Sequence, residues 1–490
     1  MKQITGASST QGMWPRRTTD RRCLHADCTT AGTTTTSSNT TQASAANVPT
    51  TASGPARTTG KTSIPVFKGT LNLFSGKPMA EQDWGSEGYI ADNFRAYYAS
   101  GASRVEPPTE MRQREFGFLS FGGRSMFRHI GFEDTLQLRG YMREYAPAHT
   151  YFSAAYYEDP RANMEYKGWL GADLVFDIDA DHFDLPCQKA HDRWTCSNCG
   201  EEGMGHAPDL CPSCQKAKFV EESWLCNECL TAAKYEAQKL LDILIQDFGY
   251  EGTGDLSVNF SGNRGYHVHV RNPTVKGLDQ LSRREIVDYI LAIGIEAEYH
   301  GFVSRVVGGV SSMSSDGWRM RTARALYDFI GELTPEGMRE LKLAKAARER
   351  LEENKDAILE TLVERHPSGI YRYMTKNTLE KLMAAAVKGQ ASSIDTVVTT
   401  DLRRLIRLPN TLHGKTGWLT QNVPIIELPD YDPLIESIAF VEGTESIHIR
   451  RTPIIELGGE VYGPFEDETV ELPLAVAMFI LGRKAGRVVS

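Results

Sequence analysis

The sequence has no hydrophobic run approaching the ~18 to 20 residues of a bilayer-crossing helix, and no apolar stretch follows the first methionine. Neither a membrane span nor a secretory leader is expected. It also lacks an excess of basic charge: 54 Lys and Arg against 63 Asp and Glu leave a net charge of −9. That balance excludes a generally basic nucleic-acid coat and requires any phosphate-binding surface to be local. Cysteine is scarce outside one segment. Seven of the nine cysteines lie between Cys187 and Cys229, as three C-x-x-C pairs and one C-x-x-x-H. This spacing fits metal ligation in a reducing compartment better than a disulfide framework. Large apolar side chains are missing from Thr29 to Thr62, where Thr, Ser, Ala and Gly dominate and Val48 is the one large aliphatic residue. Such a segment cannot bury enough surface to fold, so residues 1–66 are expected to form a disordered low-complexity extension. Arg16, Arg17, Arg21 and Arg22 ahead of it fit a transit peptide, a basic arm or an extension without function. Cys23, His25 and Cys28 have no convincing fourth ligand and are read as no metal site.

What is present is globular. At 490 residues with 41% hydrophobic residues the chain can bury a large core, and its length suggests roughly two to four domains. Residues 171–180 alternate Ala172, Leu174, Phe176 and Ile178 with Asp173, Val175, Asp177 and Asp179, the period of a two-faced strand. After the cysteines, Ala232, Ala233, Ala237, Leu240, Leu241, Leu244 and Ile245 read as the apolar face of a helix ending at Gly249. "LSVNFSGNRGYHVHV" then reads as two strands around a glycine turn. Residues 279–298 and 335–389 read as mostly helical, the second broken at Pro367 and Gly369. "LIRLPNTLHGKTGWL" returns to short strands and turns, and "LPLAVAMFILGRKAG" reads as a closing helix. The class expected is α+β, with a metal module inserted and a helical subdomain added.

Asp177 and Asp179 sit two apart on the strand, so both project from one face with α-carbons ~6.5 Å apart. Two carboxylates so placed repel, and a divalent cation removes the repulsion by using their oxygens as hard ligands. With a third carboxylate they could hold two ions for in-line attack at phosphorus. D-x-D alone does not separate this from an acidic strand end, so other segments must decide. "FSGNRGYHVHV" supplies a tight turn in which Ser261, Arg264 and the backbone amides beside Gly262 and Gly265 suit a triphosphate, with His267 and His269 on the polar face of the next strand. "IDTVVTTDLRRLIRLPNTLHGKTG" adds Asp395 and then Arg403, Arg404, Arg407, His413 and Lys415, a basic stretch in an acidic protein. The eight ligands Cys187, His191, Cys196, Cys199, Cys211, Cys214, Cys226 and Cys229 suit two closed tetrahedral zinc sites, which are structural and not catalytic.

Taken together, these segments resemble the small catalytic subunit of archaeo-eukaryotic DNA primase, and the archaeal branch more than the eukaryotic. The resemblance runs from about Ile90 to the C-terminus through "REFGF", "ADLVFDIDADH", "FSGNRGYHVHV", "IDTVVTTDLRRLIRLPNTLHGKTG" and "GEVYGPFEDETVELP". It implies a primase-type core on mixed or antiparallel sheets, with Asp177, Asp179 and Asp395 as catalytic carboxylates holding two Mg²⁺ or Mn²⁺ ions. It places Ser261, Arg264, His267, Arg407, His413 and Arg114 at the nucleotide. Asn263 stands where eukaryotic members carry arginine, so no phosphate role carries over to it. The family's structural zinc follows the aspartate strand, which "CQKAH" and "CNECLTAAKYEA" match. Cys187, His191, Cys226 and Cys229 then form one site, and Cys196, Cys199, Cys211 and Cys214 a second in an inserted ribbon. Spacing alone leaves open a pairing of Cys187 and His191 with Cys196 and Cys199.

The implied activity is synthesis of short RNA primers on single-stranded DNA, with DNA primers left open, from nucleoside triphosphates. The implied partner is a primase large subunit, and the location is cytoplasmic and nucleoid-associated, without a membrane. The corresponding parts are 67–186 and 231–330 of the catalytic core, a zinc module over 187–230, a helical subdomain over 331–390, and 391–490 with the third aspartate. A repair-type primase-polymerase would share the same chemistry. A zinc-ribbon nucleic-acid-binding protein without enzymatic activity would need neither the three aspartates nor the Ser261 turn.

Overall fold

The computed structural model describes residues 86–489, apart from 102–104, 124, 253, 296–312, 314–315 and 364–366. The extension over 1–66, with Cys23 and Cys28, lies outside the described residues, as does the end of the 279–298 helical segment.

Two antiparallel sheets carry the site. The first has five strands in the order Thr411–Leu412, Leu419–Val423, Leu256–Phe260, Gly265–Val270 and Leu174–Asp179. The second has four, in the order Leu405–Arg407, His149–Ser153, Phe116–Leu119 and Phe127–Ile130. On Gly265–Val270, Tyr266, Val268 and Val270 join one core with Ala233, Ala237, Leu240, Leu241 and Leu244 of the helix Asn227–Gln246. His267 and His269 alternate with them and so face the other way. There the His269 ring stacks on Phe152 of the second sheet, with centroids 6.0 Å apart and planes 9° from parallel. The hairpin strand is therefore buried on both faces, which is why its polar members are histidine and not charged residues.

The strand expected over 171–180 is two strands. Trp169–Ala172 pairs with Ala155–Tyr157, and Leu174–Asp179 joins the five-stranded sheet. The chain changes sheets at Asp173 because that buried residue anchors an ionic network. Its carboxylate accepts from Arg114 Nη2 at 2.7 Å and the Tyr156 hydroxyl at 2.6 Å, and its carbonyl accepts from Arg283 Nη1 at 2.9 Å. Gly171, at φ +130°, lies so close to Lys276 that a Cβ would be 2.7 Å from the Lys276 carbonyl oxygen.

The cysteine segment forms a small sheet of Glu202–Met204, Arg193–Cys196 and Phe219–Glu222, inserted between the aspartate strand and the helix Asn227–Gln246. The helices from Gly317–Glu332 to Lys376–Gln390 pack around their own apolar cluster, which already includes Trp318, Leu326 and Ile330 ahead of residue 331. The closing helix Leu474–Gly482 is apolar on all sides and buried from Val476 to Leu481, as a helix without a polar face must be. No helix among the described residues is long and apolar enough to cross a membrane.

Candidate functional site

The antiparallel register places His267 opposite Asp177 and Gly265 opposite Asp179. Gly265 is required there, since a Cβ would stand 1.9 Å from the Ile178 carbonyl oxygen. Asp395 arrives from more than two hundred residues away. Its backbone N–H donates to the Asp177 carbonyl at 2.8 Å. Its side chain caps the short helix Thr396–Thr400, accepting from Val397 N at 2.9 Å. Asp177 responds to this company: burial, then the charge of Asp179, with Asp395 adding, pushes its carboxyl up to about 6 against the opposing pull of Arg404 and His182. Asp177 and Asp179, with the charge of Asp395 nearby, thus concentrate carboxylate oxygens at this strand end, although the three are not among the described groups whose ligand atoms converge within 4.8 Å.

The glycine turn lies at the end of the same strand pair. Ser261 Oγ accepts from the amides of Asn263 at 3.4 Å and Gly265 at 3.2 Å. Gly262 takes φ +76°, and a Cβ there would be 2.9 Å from His413 Cβ. Thr416 Oγ1 donates to the Gly262 carbonyl at 2.6 Å, so the Ser261 turn and the His413–Trp418 turn are locked together. Arg264 is paired with Asp181, and its Nε lies 3.8 Å from Asp179 Oδ1 without making a hydrogen bond. Asp181, in the short turn Ala180–His182 that follows the aspartate strand, is thus the arginine's partner.

His267 Nε2 is 3.5 Å from Asp177 Oδ1, and its buried Nδ1 has no hydrogen-bond partner. Burial, followed by the charges of Arg407 and Arg404, pushes this imidazole down to about 3, so it is neutral. Arg407 comes from the second sheet. It donates to His149 Nδ1 at 2.9 Å and lies over the Tyr151 ring at 5.0 Å. The His149 and His413 rings are 4.7 Å apart, and burial holds both imidazoles neutral, His149 at about 2.

Asp177, Asp179, Asp395, Ser261, Arg264, His267, Arg407 and His413 therefore occupy one region, spread over both sheets. Arg114 does not present a group to it. Its side chain is fully enclosed and spends its donors on Thr109 O, Ser153 O, Ala154 O and Asp173, with its guanidinium 3.6 Å from the Tyr156 ring centroid. His269 is likewise sealed off against Phe152. His149 and Tyr151 were missed from sequence. They alternate on an ordinary strand, and only its pairing with Leu405–Arg407 brings them to the site.

The metal-ligating atoms of the cysteine segment converge as two sets, Cys187, His191, Cys226 and Cys229, and Cys196, Cys199, Cys211 and Cys214, each within 4.8 Å. In the first, Cys187 and Cys229 sulfurs are 3.4 Å apart and Cys229 Sγ is 3.3 Å from His191 Nε2. In the second, Cys196–Cys214 and Cys199–Cys211 are each 3.6 Å apart. A tetrahedron with ~2.3 Å metal–sulfur bonds has edges of about 3.8 Å, so both sets fit zinc. His191 Nδ1 contacts Asp192 Oδ1 at 2.8 Å, which turns Nε2 toward the sulfurs. His206 belongs to neither set and contacts Gln188 Oε1 at 3.1 Å.

Residues 206–425 match the family model described as DNA primase small subunit. A DNA primase small subunit PriS of Cenarchaeum symbiosum (strain A) is 33% identical over 402 residues, covering 80% of this chain and 96% of the relative. The DNA primase small subunit PriS of Natronomonas pharaonis is 33% identical over 426 residues, covering 81% and 96%. That of Methanocella arvoryzae is 32% identical over 431 residues, with the same coverage.

Proposed function

This chain belongs to the archaeal-type family of DNA primase small subunits, and on that premise we propose that it makes short RNA primers on single-stranded DNA from nucleoside triphosphates, as partner of a large subunit. The observation that carries the reading is the hydrogen bond from the Asp395 amide to the Asp177 carbonyl, which brings a third carboxylate to the D-x-D strand beside the Ser261 turn. Asp177, Asp179 and Asp395 would hold two Mg²⁺ or Mn²⁺ ions, which when bound supply Lewis-acid stabilisation of the charge developing on phosphorus oxygens.

The chain's own residues do the aligning. The Ser261–Gly265 turn and Arg264 cradle the triphosphate, Arg407 approaches from the second sheet, and neutral His267 and His413 each offer a ring nitrogen without adding charge. Phosphoryl-type transfer depends on alignment and electrostatics, so these groups would hold the α-phosphorus in line with a 3′-hydroxyl and stabilise the departing pyrophosphate. The test is synthesis by wild-type protein with its large subunit, single-stranded DNA, labelled nucleoside triphosphates and Mg²⁺ or Mn²⁺. Primers appearing only with divalent ion are expected, and no product with either ion, with or without the large subunit, would overturn the reading.

The two cysteine sets are read as structural zinc sites of unequal weight. Cys229 is 2% exposed and lies in the main apolar core, whereas Cys199 is exposed on the ribbon. Cys229→Ser is therefore expected to lose one zinc and lower the melting temperature of the whole folded unit, and Cys199→Ser to lose one zinc with melting nearly unchanged. Metal analysis and thermal unfolding check this. Full zinc content in both variants would sink the assignment.

A further inference from the structure

Asp395 is delivered to the aspartate strand by a chain that has just left another packing unit. The helix Lys376–Gln390 buries Leu379, Leu382 and Met383 in the helical cluster, apart from the core that holds Leu174, Phe176 and Ile178. Residues 391–395 bridge the two. Without an anchor along the way, any shift of the helical cluster would pass directly to the third carboxylate.

The anchor is one turn of the helix Asn227–Gln246, where Glu236 and Lys239 are three apart and share a face. Lys239 Nζ donates to the Gly389 carbonyl at 3.2 Å and to the Ala391 carbonyl at 2.8 Å. A cation is favoured there, because the last carbonyls of the helix Lys376–Gln390 lack partners within that helix and carry its negative dipole end. Glu236 Oε2 accepts from the Ser393 N–H at 2.7 Å, and the Glu236 backbone carbonyl accepts from Ser392 Oγ at 3.0 Å. Lys239 Nζ and Glu236 Oε1 are 2.7 Å apart, with side chains only 14% and 15% exposed. Three consecutive residues, Ala391, Ser392 and Ser393, are thus held by one charged pair and its helix.

That helix is also packed on the aspartate strand's sheet. Its Ala233, Ala237, Leu240 and Leu244 share the main core with Leu174, Phe176 and Ile178. It fastens the entry of the helical cluster as well: Arg321 Nη1 donates to Asp242 Oδ2 at 2.8 Å, and Arg321 Nε to Asp247 Oδ2 at 2.6 Å. Downstream of Asp395, Val398 is buried in the main core. Asp395 therefore sits between an apolar anchor after it and the Glu236–Lys239 clamp before it, and its own side chain is occupied in capping Val397.

We propose that Glu236 and Lys239 are positioning residues for Asp395. They reference residues 391–393 to the helix packed on the aspartate strand's sheet, so that movement of the helical cluster does not displace the third carboxylate. This rests on Asp395 contributing to the divalent-ion site.

The test is Mn²⁺ binding to full-length protein without template or nucleotide, followed by electron paramagnetic resonance. Wild type is compared with Glu236→Ala, Lys239→Met, Lys239→Arg, Asp395→Asn and the double variant Glu236→Ala with Asp395→Asn. Groups that orient a metal's ligands change its affinity by about tenfold or more, so Glu236→Ala and Lys239→Met should each bind Mn²⁺ on the order of tenfold more weakly. Lys239→Arg, which keeps the charge and the donors, should retain most of the affinity. In the Asp395→Asn background Glu236→Ala should add no further loss, since both act through one carboxylate. Leu382→Ala, which opens a cavity in the helical cluster and leaves the clamp intact, should lower melting without changing Mn²⁺ affinity. Lys239→Met carries the test where Glu236→Ala does not fold.

If Asp395→Asn weakens Mn²⁺ binding while Glu236→Ala and Lys239→Met bind as wild type, the positioning role fails alone. Losses that add in the double variant, or an equal loss in Leu382→Ala, also overturn it. Wild-type Mn²⁺ binding by Asp395→Asn removes Asp395 from the ion site, and the positioning role falls with it.

Discussion

Asp177→Asn is expected to abolish primer synthesis while making the protein more stable in divalent-free buffer near neutral pH. If Asp177 holds ions as proposed, loss of its carboxylate would remove ion binding at the reacting centre, and activity should fall by at least about three orders of magnitude. The stability gain comes from the same crowding. The folded-state carboxyl is raised from 3.8 to about 6, so below pH 3.8 it is protonated whether or not the chain is folded. As pH rises through the window from 3.8 to about 6 the unfolded chain ionises first and wild-type stability falls. A shift of about 2 units corresponds to ~3 kcal/mol at most, and partial solvent access to the carboxylate reduces it. Asparagine carries no charge, so the variant's stability should be flatter across that window and exceed wild type above it. Denaturant unfolding between pH 4 and pH 7.5, with zinc content measured in parallel, checks the prediction. Synthesis at the wild-type rate would sink the catalytic assignment, and identical pH curves would sink the account of the clustered carboxylates.

Gly265→Ala is expected to be among the most damaging single-methyl additions in the protein. The new Cβ would be 1.9 Å from the Ile178 carbonyl oxygen, 2.9 Å from its carbon and 3.0 Å from the Asp179 α-carbon. All three are backbone atoms that cannot rotate aside, so the strands must separate at the pair that positions Asp179. A cost of ~3 kcal/mol or more follows, with loss of synthesis even in the folded fraction. Gly140→Ala is the control. It lies inside the helix Thr135–Tyr145 with nothing within 4 Å of the added atom, and alanine there should be neutral or stabilising by about 0.5–1 kcal/mol. Comparable melting of the two variants would show that the close approach at Gly265 is not required.

Much of the site was legible because local sequence and local geometry coincide within each motif. Strand period puts Asp177 and Asp179 on one face, the glycines mark the turn at Ser261, and C-x-x-C spacing marks the soft-metal ligands. The extent of the aspartate strand was not legible. Alternation runs unbroken through Asp173, and only the partners Arg114, Tyr156 and Arg283 show that this aspartate ends one strand's sheet and begins another's. The same network accounts for Arg114, whose motif points to the nucleotide while its side chain is consumed by carbonyls and Asp173.

By itself, then, the sequence determined which residue types could do the chemistry and the local elements on which they sit, since period, turn preference and ligand spacing act over a few residues. Tertiary structure alone decided which distant pieces meet: Asp395 on the Asp177 carbonyl, Arg407 on His149, the two sets of four ligands, and Ser393 on Glu236. These meetings depend on sheet pairing and helix docking between segments up to 258 residues apart. No local pattern encodes them, because the burial that fixes each partner exists only once the whole core has formed.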